Sequence, residues 1–396
     1  MGFRIERGLQ MKQLSKTRGK MPESGIRKLQ GLASKIPEAI RLETGEPDFN
    51  TPLYICEAAA QASYAGETKY TAVPGYISLR QAILDDMKKS YGIEAGLDEI
   101  IVTSGAVMAI TTALMAVADP GDEILIPDPS WPVYEMMILS QGFVPVFYNL
   151  NPEAGFTPDW SDLEKKVSSK TKAILVNTPS NPTGAVFNEA TVIKFMEFAV
   201  EHDLYVISDE VYDAIVFEGR HTTLKKFDTD GRVILINAAS KKYAMTGWRI
   251  GYAIANKDIV ASMAQTMITL IGNATSVAQK AYEAAIKGPQ DFVETERLSY
   301  KTRRDKTYDI FKDTEIKVYY PNGAFYMMVD ISATGMTSDD FVIRLLEEEK
   351  VSTAPGSTFG KTTANMIRIS MATEESRLLE GARRICRFIK NHSKQQ

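Results

Sequence analysis

Cysteine and histidine are both scarce in this 396-residue chain, and their scarcity narrows the chemistry open to it. Cys56 and Cys386 are too few for a disulfide framework and fit a reducing compartment. His202, His221 and His392 lie far apart and lack ligand-like spacing with either cysteine, so no metal site is expected. An excess of one charge is missing too. The 46 lysines and arginines nearly balance 50 aspartates and glutamates, for a net charge of −4. Neither nucleic acid nor an acidic membrane surface is favoured as a partner by that balance. Apolar stretches are broken by charge, glycine or proline well before the roughly 18 residues that a membrane span needs. The start, Met1 to Arg7, is charged, with no apolar core of signal-peptide length after it. The expectation is a cytoplasmic, globular protein of two domains, given 44% hydrophobic and 24% charged residues.

What is present is an alternation of short β-rich runs and longer helical patterns. Ile100–Thr103 precedes a helical stretch from Ala106 to about Ala118, and the turn Asp119-Pro120-Gly121-Asp122 leads into Glu123–Ile126. Ala173–Asn177, a Pro-rich loop and a helical pattern over Glu189–His202 follow, then Leu204–Ser208 and Val233–Asn237. Nearly continuous apolar runs alternating with helices predict an α/β domain with a mostly parallel central sheet flanked by helices. The ends differ. Residues 1 to about 55 are polar with one helix near Ile26–Lys35, and the chain after about 290 mixes charged helices with strand candidates Phe325–Asp330 and Met366–Ser370. A large domain over 56–289 and a smaller, discontinuous α+β domain from 1–55 and 290–396 are therefore expected. There is no internal repeat, only a polar tail at Asn391–Gln396.

Ligands of open α/β sheets collect at the carboxyl ends of the strands. After Ile100–Thr103, the run Ser104-Gly105-Ala106-Val107 opens a helix and can aim backbone N–H groups at an anion. After Ala173–Asn177, two prolines flank Asn181 and fix how its amide is presented. After Leu204–Ser208 comes Asp209, followed by Tyr212; a carboxylate there needs a partner such as a protonated pyridine nitrogen. After Val233–Asn237 comes Ala238-Ala239-Ser240-Lys241, with Arg249 eight positions beyond the lysine. An amine beside a cation can have a lowered pKa and attack an aldehyde. Taken singly, an N-cap, a Pro-rich turn, a capping aspartate and a solvated lysine account for each. Together they form the set of groups that pyridoxal phosphate requires. No G-x-G-x-x-G follows a predicted strand, which weighs against a dinucleotide.

From Arg41-Leu42-Glu43-Thr44-Gly45-Glu46-Pro47-Asp48-Phe49 to Ile367-Arg368-Ile369-Ser370, the chain resembles the class I aminotransferases of the fold-type-I pyridoxal-phosphate family. Within it, Asn181-Pro182-Thr183-Gly184, Ser208 to Tyr212 and Lys241 to Gly251 are similar to the branch holding bacterial aspartate and aromatic aminotransferases. The resemblance implies that Lys241 holds the cofactor as a Schiff base and carries protons, and that Asp209 keeps the ring nitrogen protonated. It implies that Asn181 and Tyr212 bond the ring oxygen and that Trp131 stacks on the ring. Gly105, Ala106, Val107, Ser240 and Arg249 would bind the phosphate, joined by Tyr70 from the neighbouring subunit of a homodimer. Arg368 and Gly45, with Asn181, would bind the substrate α-carboxylate. Relatives often carry a serine where this chain has Ala238, and a lysine, serine or threonine where it has Ala106 and Val107, which leaves fewer side-chain donors to the phosphate.

The implied activity is a ping-pong transfer of an amino group from an L-amino acid to a 2-oxo acid. Elimination, decarboxylation or oxidation on the same scaffold would share Lys241 and Asp209. A ligand sensor in a transcription regulator would need a DNA-binding module, and the roughly 40 residues before Arg41 show no helix-turn-helix pattern. No residue can be assigned to a second substrate carboxylate; Ile26 and Tyr70 are expected to line the pocket.

Overall fold

The computed structural model describes Gly19, Met21, Pro22 and residues 25–393. The charged start at Met1 to Arg7 and the last tail residues, Lys394 to Gln396, lie outside the described residues. The polar segment that follows the start supplies β1 (Ile40–Arg41). The central region supplies β2 (Ile100–Thr103), β3 (Glu123–Asp128), β4 (Val144–Asn151), β5 (Thr157–Pro158), β6 (Thr171–Asn177), β7 (Tyr205–Asp209), β8 (Val233–Ala238) and β9 (Gly251–Ile254). The C-terminal part supplies β10 (Val318–Tyr319), β11 (Tyr326–Asp330), β12 (Val351–Ser352), β13 (Ala354–Pro355) and β14 (Met366–Ser370).

Eight strands form one sheet in the order β2-β9-β8-β7-β6-β3-β4-β5. From β8 through β4 the neighbours run parallel, while β9 is antiparallel to both β2 and β8, and β5 is antiparallel to β4. Every residue of β2 and β8 is buried, because helices cover both faces, and this explains why those strands read as unbroken apolar runs. The helices follow their local signals. Asn188 caps the helix Glu189–Glu201 by accepting from the Thr191 N–H at 2.9 Å. The helix foreseen at Ile26–Lys35 is Gly25–Ala33, and that foreseen from Ala106 to Ala118 is Ala106–Val117.

A four-stranded sheet, β10-β11-β14-β13, is antiparallel throughout. β1 pairs in parallel with β12, so Ile40 lies opposite Val351 and stitches the segment after the first helix to the C-terminal part. One apolar core joins Leu29, Ile40 and Leu42 to Phe325, Ile367, Leu378 and Ile385. Other cores fill the two faces of the eight-stranded sheet. No helix of the described residues is long and apolar enough to cross a membrane.

Candidate active site

The carboxyl ends of β2, β6, β7 and β8 open on a cavity of about 290 Å³. Beyond β8 the chain turns at once into the short helix Ala239–Lys242, which directs Lys241 into this cavity. The Lys241 Nζ donates to the Gly45 carbonyl oxygen at 2.7 Å. The rings of Tyr212 and Phe325 lie 5.8 and 5.7 Å from that nitrogen. Burial lowers the amine pKa to about 8; Glu46 opposes the shift, and the guanidinium groups of Arg368 and Arg249 add to it. An amine in this state is a nucleophile near neutral pH.

Arg249 follows a single turn, Thr246–Trp248, and adopts a left-handed conformation with φ +52°. Its Nη1 donates to the Thr246 carbonyl at 2.8 Å. Gly105, at φ +81°, precedes the helix Ala106–Val117, whose N-terminus no side chain caps. A Cβ on Gly105 would lie 2.6 Å from Arg249 Nη2, so glycine is what lets the guanidinium close over the helix start. The result is an anion cradle: an uncapped helix N-terminus beside a fixed cation. Ala106, Val107, Ala238 and Ser240 also line the cavity, and Ser240 supplies the one hydroxyl among these four.

Asp209 ends β7, 3% exposed. Its Oδ2 accepts from the Tyr134 hydroxyl at 2.5 Å and its Oδ1 from the Val211 N–H at 3.3 Å. Burial pushes its pKa up to about 6, and these two donors oppose the shift. The turn beyond it is anchored by Glu210, which pairs with His221 at 2.6 Å and accepts from Ser208 Oγ at 2.7 Å and Thr223 Oγ1 at 3.0 Å. Asn177 ties two strand ends together: its Nδ2 donates to the Asp209 carbonyl at 3.0 Å and its Oδ1 accepts from the Asn181 N–H at 2.9 Å.

Arg368, on β14, crosses from the smaller sheet to the cavity wall, buried. Its Nη1 donates to Asn181 Oδ1 at 2.8 Å and its Nη2 to the Glu43 carbonyl at 2.7 Å, while Nε has no partner among the described residues. Tyr326 and Phe359 face the guanidinium at 4.2 and 4.7 Å. Tyr212 and Tyr326 share a hydroxyl–hydroxyl bond of 2.9 Å. Gly45 sits so close to Tyr326 that a Cβ would fall 2.0 Å from its hydroxyl. Trp131 is half-buried in the wall, edge-on to Tyr134 at 5.4 Å.

Thus Gly45, Ala106, Val107, Trp131, Asn181, Asp209, Tyr212, Ser240, Lys241, Arg249 and Arg368 line one cavity, and Gly105 stands behind Arg249. Ile26 lines it as expected. Tyr70 does not: it is 94% exposed and stands apart from the cavity of its own chain, on the loop between the helices Leu53–Tyr64 and Ile77–Tyr91. Sequence reasoning missed Tyr134, Asn177 and Tyr326, which also line the cavity. Tyr134 stands one helical turn beyond Trp131 and Asn177 four residues before Asn181, spacings that could have flagged both.

Strand ends of a parallel sheet converging on one amine are the arrangement of a fold-type-I pyridoxal-phosphate enzyme, and the donor set fits that group. The amine can condense with its aldehyde, the cradle suits its phosphate, and buried Asp209 suits a protonated ring nitrogen. The family model described as "Aminotransferase class I and II" matches residues 37–385. The chain is 37% identical to the aspartate aminotransferase of Pyrococcus horikoshii over 91% of this chain and 93% of that one. It is 38% identical to a probable aspartate/prephenate aminotransferase of Aquifex aeolicus, over 90% and 93% respectively. The solved structure of Thermus thermophilus aspartate aminotransferase with maleate superposes with a TM-score of 0.91 at 34% identity, covering 96% of this chain and all of that one. The chain belongs to the class I and II aminotransferases. It is a transaminase, and its cofactor is pyridoxal phosphate.

Proposed function

We propose that the chain moves the amino group of an L-amino acid to a 2-oxo acid in two half-reactions, with Lys241 as the catalytic residue. The observation that carries this reading is the position of the Lys241 amine, which meets Gly45 at 2.7 Å within a cavity also lined by Arg368 and Asp209. When bound, pyridoxal phosphate supplies the electron-withdrawing ring that makes an amino-acid α-proton acidic. Lys241 would hold the cofactor through its amine, and the same amine is placed to move that proton. Arg368 holds the α-carboxylate through a guanidinium already oriented by Asn181 and Glu43, and Gly45 adds a backbone contact. Asp209 holds the ring nitrogen, Asn181 and Tyr212 the ring oxygen, and Trp131 covers the ring face. Arg249, Ser240 and the N–H groups at Gly105, Ala106 and Val107 hold the phosphate.

Two copies complete the site in this reading, with Tyr70 reaching the phosphate of its neighbour. Its 94% exposure supports this, as do Leu53 at 71%, Tyr64 at 89% and Ile77 at 64%, an apolar surface of the kind that association covers. The division into a large domain over 56–289 and a small one from 1–55 and 290–396 rests on the core shared by Leu42, Phe325 and Ile367. A cytoplasmic location is proposed from the scarcity of cysteine.

The names of the relatives make aspartate the first amino donor to try, with aromatic amino acids next. Lys241, Arg249 and Arg368 are the cations among the described lining residues, and each has a task above, so a second substrate carboxylate finds no further one there. The test mixes the cofactor-loaded protein with each amino acid in turn, without an oxo acid, and follows the cofactor absorbance. One equivalent of 2-oxo acid per site supports the reading. Continuous ammonia release would move the chain to the elimination or oxidation class.

A further inference from the structure

Tyr134 is buried beside Asp209 and bonded to it. Its ring is 1% exposed, edge-on to Trp131, and its hydroxyl stands 2.5 Å from Asp209 Oδ2. Among the described residues, the only other hydrogen bond to that carboxylate is the longer one from Val211, at 3.3 Å. We propose that Tyr134 is a positioning residue that keeps Asp209 ionised and turned so that its free lone pairs meet the ring nitrogen of the cofactor. The proposal rests on Asp209 being the partner of that nitrogen.

A buried carboxylate without donors escapes the desolvation penalty by taking up a proton. In that form Asp209 could no longer accept a hydrogen bond from a protonated pyridine nitrogen at full strength. Burial already raises the Asp209 pKa to about 6, and the Tyr134 hydroxyl heads the groups that oppose it. Tyr134 itself cannot exchange roles. Burial, and then the adjacent Asp209 charge, push its ionisation well above the ordinary tyrosine range, so the hydroxyl donates at every working pH. With Oδ2 pinned at 2.5 Å, rotation of the carboxylate is arrested as well. Placement on the helix Val133–Ser140, directly after Trp131, lets one short segment set both the wall of the ring site and its nitrogen partner.

The test separates this role from simple packing. Tyr134→Phe keeps the ring and its contact with Trp131 and removes only the hydroxyl. Apoenzyme of both forms is titrated with pyridoxal phosphate and with the analogue that has carbon in place of the ring nitrogen, and binding is read by tryptophan fluorescence. The variant should bind pyridoxal phosphate about ten-fold more weakly, the scale of one hydrogen bond to a charged group, and the analogue as well as the wild type does. Equal weakening toward both ligands, or toward neither, would overturn the proposal. A second, independent comparison titrates Asp209→Asn with and without Tyr134→Phe. With the carboxylate charge gone, the second change should leave pyridoxal-phosphate binding unaltered; a further ten-fold loss overturns the proposal. Wild type binding the analogue as tightly as pyridoxal phosphate would instead defeat the reading of Asp209, and the role of Tyr134 with it.

Discussion

The Lys241 amine and the Gly45 carbonyl meet at 2.7 Å across 196 positions of sequence. This bond ties the short helix after β8 to the segment after β1, and it holds the amine in the cavity. Burial places the Lys241 pKa at about 8, so the neutral, nucleophilic form gains population as pH rises through that value. The rate of pyridoxal-phosphate capture by apoenzyme should climb between about pH 7 and 9 and then level off. Absorbance stopped-flow across that range is the check, and a flat profile would argue against the lowered pKa. Lys241→Ala should still bind the cofactor but hold none covalently after borohydride reduction, and it should show no multiple turnover.

Arg368 presents a buried guanidinium with two of its nitrogens spent on orientation. Arg368→Lys keeps the charge but loses the planar fork that grips a carboxylate at two points. The half-reaction with any amino acid should slow by roughly 10²-fold, judged by kcat/KM, while cofactor affinity stays within about three-fold. Arg368→Leu should lose more and also leave Asn181 Oδ1 and the Glu43 carbonyl without their donor, costing about 1–3 kcal/mol of stability. Parallel loss of cofactor affinity in Arg368→Lys would place this residue at the wrong end of the cavity.

Gly105 tests the anion cradle. Its φ of +81° and the 2.6 Å approach of a Cβ to Arg249 Nη2 both oppose any side chain. Gly105→Ala should displace the Arg249 guanidinium and strain the turn by about 1 kcal/mol or more. The expected signature is a pyridoxal-phosphate affinity at least ten-fold weaker with an affinity for phosphate-free pyridoxal that is little changed. Equilibrium dialysis with both ligands distinguishes a cradle defect from general loosening.

How much of this was legible beforehand follows from burial and range. β2, β6, β7 and β8 were readable because strands covered on both faces must be apolar throughout, and the ionisable residues at their ends then stand out. β9 was not readable. It has four residues, and its place between β2 and β8 depends on Gly251, whose Cβ would lie 2.8 Å from the Asn237 carbonyl. β4 escaped notice because its exposure varies along its length and leaves no continuous apolar run. The strand carrying Tyr326 was foreseen, but its bond to Tyr212 spans 114 positions and no local pattern encodes it. Tyr70 was assigned by analogy to the phosphate of a neighbouring subunit, a relation that no pattern within one chain encodes, and in its own chain it is exposed.

Away from the site, Glu296 gives a stability test whose sign is fixed by its surroundings. It is 2% exposed on the helix Asp291–Lys312, with Oε1 unpaired among the described residues and the Asp48 carboxylate nearby. Burial first, and then Asp48, push its pKa up to about 8, against opposition from Arg303, whose guanidinium grips Asp48 at 2.8 and 2.9 Å. A carboxyl raised in the folded state binds its proton more tightly there than in the unfolded chain. Its contribution is therefore neutral below the unfolded value and increasingly unfavourable as pH rises from about 4.5 to about 8. Glu296→Gln removes the charge while keeping the shape, so it should raise stability above pH 8 by about 1–3 kcal/mol and change it little near pH 5. Denaturant melts of both forms at pH 5, 7 and 9 measure the difference directly. A stability gap that does not widen with pH would mean that Glu296 is already paired or hydrated in solution.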